Sequence, residues 1–165
     1  MTRAFLLVIA AALLAGCAGP EPYVYRYVPG KSAVMHDGFA VAPPDAPEEV
    51  QAAIAAGNRI AGLPYGWGGG HAHSIDSAYD CSGAASYVLQ ATGRLDSPLP
   101  STGFRRYGES GKGTWISIYA RRDHVFLVVA GLRFDTGYNR GPEGPQWSTR
   151  GRPASGSVVR HPPGL

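Results

Sequence analysis

The most reactive side chain in this sequence is a cysteine at the predicted start of a helix. Asp80 stands where a helix N-cap would stand, and apolar residues after Cys81 recur on one face up to about residue 91. Cys81 therefore falls in the first turn, where the helix dipole and unpaired N–H groups favour a thiolate and can also bind an oxyanion. A buried cysteine is also a common small core residue, so position alone leaves both interpretations open.

A nucleophilic thiol needs a base, and the chain has five histidines. His124 opens the run HVFLVVAGLRFD, which predicts a β-hairpin that turns near Ala130 and Gly131. An imidazole at the start of a strand is held rigidly and can accept the proton of the thiol. Asp135, on the second predicted strand, is the candidate that would orient the imidazole, and His161 in the strand-like tail is its competitor.

The elements around these residues predict an α+β domain. A helix is predicted after Asp45, with Asp45 as its N-cap and Glu48 completing a capping box, and it stops at Gly62 and Pro64. The glycine-rich stretch PYGWGGGHAHSIDSAYD is a predicted loop that leads into Cys81. We expect a small antiparallel sheet packed on the helix that carries this cysteine.

The first residues have the layout of a secretory signal peptide. Arg3 is followed by an uncharged apolar run over residues 4–14 and by small residues up to Cys17. The run is short for a transmembrane helix. Its ending, LAGC, resembles the lipobox of bacterial lipoproteins, which implies cleavage before Cys17 and a diacylglycerol on its sulfur. Two or three acyl chains anchor a protein stably, so we expect a cell-envelope protein on the outward, periplasmic or extracellular, side of a membrane.

Composition and organisation narrow the function classes. We divide the chain into a signal peptide (1–17), a proline-rich tether (18–47) and a folded domain (48–165) that contains Cys81 and His124. With Cys17 lipidated, Cys81 lacks a disulfide partner, because the chain has two cysteines. Charged residues make up 16% with a net charge of +3, and the short basic stretches do not favour nucleic-acid binding. The HAH loop is a poorly preorganised metal site, so we expect no metal there. We also expect no cofactor and a monomer.

Three blocks in this order, LPYGWGGG, YDCSG and DHVFLVV, resemble the NlpC family of cell-wall cysteine peptidases, a compact papain-like group. With the preceding helix they cover over half of the chain. The resemblance implies that Cys81 is the nucleophile and His124 the base. It implies that the Tyr65 hydroxyl faces the thiol and helps to position the reacting carbonyl. Asp80 and Ser82 match flanking positions that bind the amine end of the stem peptide in some members.

The family usually cleaves peptidoglycan stem peptides, often between γ-D-glutamyl and a diamino acid. The resemblance therefore implies a thiol endopeptidase of the cell wall. Two alternatives stay open: a non-catalytic envelope lipoprotein that binds wall peptides, and an acyltransferase or transpeptidase on the same scaffold. The family's third catalytic residue is often a histidine about twelve positions after the base. This chain has Asp135 eleven positions after His124, and a carboxylate can orient an imidazole well.

Overall fold

The computed structural model describes residues 20–71, 75–137 and 143–165. Cys17, with the predicted signal peptide and lipidation site, lies outside the described residues. Within the described ranges, no helix is long and apolar enough to cross a bilayer. The described elements are, in chain order, β1 (Val34–His36), β2 (Phe39–Val41), α1 (Glu48–Ile60), α2 (Cys81–Ala91), α3 (Ser101–Phe104), β3 (Glu109–Ser110), β4 (Ile116–Ala120), β5 (Val125–Val129), β6 (Leu132–Asp135), β7 (Gln146–Ser148) and β8 (Val158–His161).

A six-stranded antiparallel sheet forms the centre of the domain. Its strand order is β3-β8-β4-β5-β6-β7. α1 and α2 pack against each other, and α2 packs on β5 and β6. The predicted α+β architecture, a small antiparallel sheet on the helix that carries Cys81, is confirmed. The core between the helices and the sheet is apolar and includes Val50, Ile54, Val88, Ile118 and Leu127.

The hairpin that follows His124 is also as predicted. Leu127 pairs with Phe134 and Val129 with Leu132, so the turn falls at the two residues between β5 and β6. Ala130 and Gly131 both have positive φ, of 45° and 75°. Two successive residues with positive φ are typical of the tight hairpin turns that follow the natural twist of strands.

The predicted start of α1 is wrong. The helix begins at Glu48 with Pro47 as its N-cap, and no side chain caps it. Pro47 has φ of −53° and ψ of 154°, which keeps the chain extended up to that residue. Proline suits a helix start because it has no N–H group to satisfy. Asp45 lies too far before the first turn to cap it, whereas the acids Glu48 and Glu49 still favour the positive end of the helix dipole.

Residues 20–47, which the sequence predicts as a proline-rich tether, lie against the domain where they are described. Tyr23 is 4% exposed, and its backbone N–H and C=O pair with those of Arg152. Its ring packs edge-on against Phe126, on the face of the sheet opposite the helices. Further along, β1 and β2 form a separate hairpin that packs on α1. The part of the segment around Tyr23 therefore covers the outer face of the sheet.

A close approach between α1 and β7 gives a test of this packing. A Cβ atom at Gly57 would overlap the indole ring of Trp147, which is 3% exposed. Gly→Ala in an open helix stabilises by about 1 kcal/mol. Here we expect Gly57→Ala to lower the free energy of unfolding by about 1–3 kcal/mol, because the buried ring has to move. Urea denaturation measures the change.

The control for this prediction is a double-mutant cycle. Trp147→Leu removes the ring that Gly57 contacts, so Gly57→Ala should cost less in that background than in the wild type. Equal costs in both backgrounds would show that the contact with the indole does not set the requirement for glycine.

Candidate active site

Cys81 is the first residue of α2, as the sequence predicts. Asp80 is the N-cap, and its carboxylate accepts a hydrogen bond of 2.7 Å from the backbone N–H of Gly83. A Cβ atom at Gly83 would collide with the carbonyl oxygen of Gly69. The glycine two residues after the cysteine thus lets the glycine-rich loop lie directly on the helix. As one of the first residues of a helix, Cys81 has no intrahelical acceptor for its own N–H group.

Three groups face the sulfur of Cys81. The hydroxyl oxygen of Ser101 is 3.6 Å from Sγ. His124 and the backbone N–H of Val125 also lie within hydrogen-bonding range. Burial alone would raise the pKa of the thiol, but the hydrogen bond and positive charge of His124 outweigh it, with smaller contributions from Ser101 and Val125. The net effect lowers the pKa of Cys81 and favours the thiolate.

His124 connects the thiol to a carboxylate. Its Nε2 atom is 2.7 Å from Oδ1 of Asp135, which leaves Nδ1 as the nitrogen available to Cys81. Burial would lower the pKa of His124, but hydrogen bonds to Asp135 and Cys81 and the charges of both partners raise it. A lowered thiol pKa beside a raised imidazole pKa favours transfer of the thiol proton to the imidazole. A thiolate beside an imidazolium is the arrangement that nucleophilic catalysis by cysteine uses.

Asp135 is held by more than the histidine. The residue is 4% exposed, and Oδ1 also accepts a hydrogen bond of 2.8 Å from the Thr136 N–H. Oδ2 lies 3.2 Å from Nη1 of Arg152 and 3.6 Å from Nη1 of Arg133. Both arginines are buried. A buried carboxylate is costly unless paired, so these cations stabilise the charge that orients His124.

Strand alternation explains how these groups meet. Arg133 and Asp135 are two residues apart on β6 and therefore point to the same face. The buried neighbour on this face is Phe126, over whose ring the Arg152 guanidinium lies at 5.6 Å. α2 and Cys81 are on the opposite face. His124 precedes the first residue of β5, so its ring bridges the two faces at the end of the sheet.

Tyr65 lies at the same site. It forms a parallel bridge with Tyr79, just before Asp80 and Cys81. Burial, followed by the negative charges of Cys81 and Asp80, raises the pKa of Tyr65, so its hydroxyl stays protonated and can donate a hydrogen bond. A cavity of about 450 Å³ adjoins it, between residues 62–65 and 143–146. A larger cavity of about 630 Å³ is lined by none of the predicted site residues.

Asp80 and Ser82 have partners within the chain. The Ser82 hydroxyl donates to Asp80 Oδ1 at 2.9 Å, and the Gly68 N–H donates to Oδ2 at 3.0 Å. His71 Nε2 is 3.3 Å from the carboxylate and 3.2 Å from the Ser82 hydroxyl. Burial would raise the pKa of Asp80, but the N–H of Gly83, the Ser82 hydroxyl and His71 lower it. The described geometry ties the loop to α2, and the predicted role of both residues in substrate binding stays a prediction.

His161 does not join the site. β8 pairs with β4 and β3 rather than with the hairpin of β5 and β6. The ring of His161 pairs with Glu109 at 3.3 Å and its Nδ1 lies 3.1 Å from the Gly111 carbonyl. The structure thus brings Asp135, and not His161, to His124. In the described ranges, no group of three or more His, Cys, Asp and Glu side chains could hold a metal ion.

Sequence reasoning missed three residues at this site: Ser101, Arg133 and Arg152. The alternation of side chains along β6 places Arg133 on the same face as Asp135, so the sequence alone could have predicted that Arg133 lies near this carboxylate. Ser101 follows a proline-rich turn far from Cys81 in the chain, and only the fold brings the two together. Arg152 lies in an irregular stretch before β8, and its approach to Asp135 depends on tertiary packing in the same way.

No protein-family model and no curated protein matches this chain.

The bond between His124 and Asp135 generates a prediction on reactivity. In Asp135→Asn the imidazolium loses its carboxylate, so the pKa of His124 should fall and that of Cys81 should rise. The pH profile of iodoacetamide alkylation should then move to higher pH, with slower reaction at pH 6. The buried arginines also lose a partner, so circular dichroism must confirm that the variant is folded.

The matched control is Asp123→Asn. Asp123 is an exposed acid next to His124, paired at the surface with Arg121. Its neutralisation should leave the alkylation profile nearly unchanged. If a folded Asp135→Asn protein gives the same profile as the wild type, the carboxylate does not hold the imidazolium.

The contact between Ser101 and Cys81 gives a second prediction on the same assay. Ser101→Ala removes a donor to the thiolate, so the thiol pKa should rise and alkylation at neutral pH should slow by up to about ten-fold. Thr102→Ala, at the exposed next position, is the control. An unchanged rate in Ser101→Ala would mean that the hydroxyl does not stabilise the thiolate.

Proposed function

We propose that this chain is a cysteine-type amide hydrolase that cleaves peptidoglycan stem peptides, with Cys81 as nucleophile, His124 as acid and base, and Asp135 as the residue that orients the base. The observation that carries the proposal is the arrangement of three side chains. The thiol of Cys81, at the start of a helix, has a lowered pKa, and the imidazole of His124 beside it has a raised pKa. Nε2 of that imidazole lies 2.7 Å from Oδ1 of the buried Asp135. A structural cysteine does not need such a partner set.

The proposed reaction uses these groups in two stages. The Cys81 thiolate attacks the amide carbonyl, and the negative charge that develops on oxygen is stabilised by the Cys81 N–H and the Tyr65 hydroxyl. His124 gives its proton to the leaving amine, which departs and leaves a thioester. His124 then takes a proton from water, which attacks the thioester and releases the acid and the free thiol.

The substrate class rests on the resemblance of three sequence blocks to the NlpC family, and one feature of the fold supports it. The cavity that Tyr65 lines has the size of a site for a small ligand. A short branched stem peptide fits such a space better than a folded protein does. The γ-D-glutamyl bond to a diamino acid is the first bond to examine.

We further propose that the protein acts while anchored to a membrane through lipid on Cys17. The lipobox-like ending of the apolar N-terminal run supports the anchor. An enzyme held at the outward face of a membrane would meet wall peptides at short range. The chemistry of the site does not depend on this anchor.

Digestion of isolated sacculi tests the activity. The wild type should release peptide fragments whose mass corresponds to addition of water at one amide bond. Cys81→Ala should reduce their release by at least about a thousand-fold, because the covalent route is lost. Mass spectrometry of the soluble products gives both the rate and the bond.

The control is Asp123→Asn, which leaves the described site intact and should keep full activity. Products that carry an added amine or acyl group instead of water would establish a transferase on this scaffold. Full activity in folded Cys81→Ala would contradict the proposal.

A further inference from the structure

Exposed apolar side chains concentrate in one part of the described chain. Six of the nine large apolar residues that the structure leaves exposed lie between residues 27 and 41. Three of them, Val34, Phe39 and Val41, belong to the β1–β2 hairpin and form what we call the N-terminal apolar patch. Phe39 and Val41 are each 49% exposed and Tyr27 is 59% exposed. Such a concentration marks a surface that meets a partner, because scattered single residues are the ordinary pattern on a free surface.

Strand pairing shows why half of the β1–β2 hairpin is apolar and uncovered. Val34 pairs with Val41, and His36 pairs with Phe39, so these side chains share one face. The other face points to α1, where the Asn58 side chain bonds both the N–H and the C=O of Ala40 at 2.9 Å. A two-stranded hairpin with one face fixed to a helix thus presents valines and a phenylalanine outward.

The patch begins at the end of the sheet that is remote from the candidate active site. The Ala33 N–H donates to the carbonyl of Ala130, in the turn between β5 and β6. His124 precedes the other end of β5. The path from His124 to Ala130 along this strand is about 20 Å, at about 3.3 Å per residue.

We propose that the N-terminal apolar patch docks on the surface of the bilayer that holds the lipid anchor. The inference rests on the proposed lipidation of Cys17. The chain from Cys17 to Val24 can span at most about 25 Å, so the anchor keeps the start of the described segment close to the membrane. Tyr27 is of the residue type that prefers the interface, and the exposed cations Arg26 and Lys31 suit anionic headgroups.

Docking would set orientation rather than affinity, because two or three acyl chains already anchor the protein. With the turn at Ala130 facing the lipid, β5 would point away from the bilayer and present His124 on the distal side. The groove at Cys81 would then face the wall instead of the headgroups. An anchored enzyme without docking would tumble on its tether and present the site in every direction.

Site-specific fluorescence on the full-length lipoprotein tests this orientation. The background is Cys81→Ala, so that an introduced cysteine is the one that reacts. Phe39→Cys in the patch and Arg122→Cys, at an exposed position beside His124, are each labelled with an environment-sensitive dye. The proteins are reconstituted in phosphatidylethanolamine–phosphatidylglycerol vesicles that contain lipids with a nitroxide quencher near the headgroup. We expect a loss of fluorescence at position 39 and none above background at position 122.

A second variant checks that the apolar face causes the contact. Val34→Ser and Val41→Ser, added to the labelled Phe39→Cys protein, should abolish quenching by lipid while the protein still floats with the vesicles. Both valines are exposed, so the fold should tolerate the change.

Other outcomes overturn the proposal. Flotation without selective quenching at position 39 would show an anchored protein that does not dock. Protection of the dye from aqueous iodide without quenching by lipid would show that a protein, such as a second copy of the chain, covers the patch. A protein that does not float with the vesicles would contradict both the lipid anchor and the docking. None of these results bears on hydrolysis of sacculi, which is measured with Cys81 present.

Discussion

The hydrogen bond of 2.7 Å between His124 and Asp135 is the interaction on which the rest of the site depends. It places a carboxylate with 4% exposure under the ring that faces Cys81. A buried carboxylate is costly unless its charge is paired. Arg152 and Arg133, at 3.2 and 3.6 Å, supply the compensating charge. The electrostatic surroundings of the Cys81 thiol thus include, through His124, a cluster that lies on the other face of the sheet.

That dependence explains why the outer face of the sheet has to be covered. Arg152 is fixed by two backbone hydrogen bonds to Tyr23, and its guanidinium lies over Phe126, which also stacks on Tyr119 at 4.7 Å. Water at this face would weaken the pairing of Asp135 with its cations. The segment before α1 therefore contributes to the electrostatics of the site, which its proline-rich sequence does not reveal.

Local signals in the sequence predicted the elements that carry the reactive groups. Asp80 caps α2 and Cys81 begins it, and the run after His124 forms a hairpin that brings Asp135 back to the imidazole. These features depend on neighbours in sequence or on the period of a strand. The predicted N-cap of α1 was wrong: the helix is preceded by Pro47 instead of Asp45, because the fixed φ of proline sets where the helix begins. Ser101 and Arg152 were missed because their contacts join distant parts of the chain.

The segment between the predicted anchor and α1 joins the chemistry to the surroundings of the protein. Its first part closes the outer face through Tyr23, and Ala33 contacts the turn at Ala130. The β1–β2 hairpin, with its exposed apolar face, therefore begins at the end of β5 opposite His124. Because one rigid sheet separates the two ends, any partner that fixes the patch also fixes the direction of the site. An anchor alone constrains distance, whereas an anchor combined with a docked patch also constrains orientation.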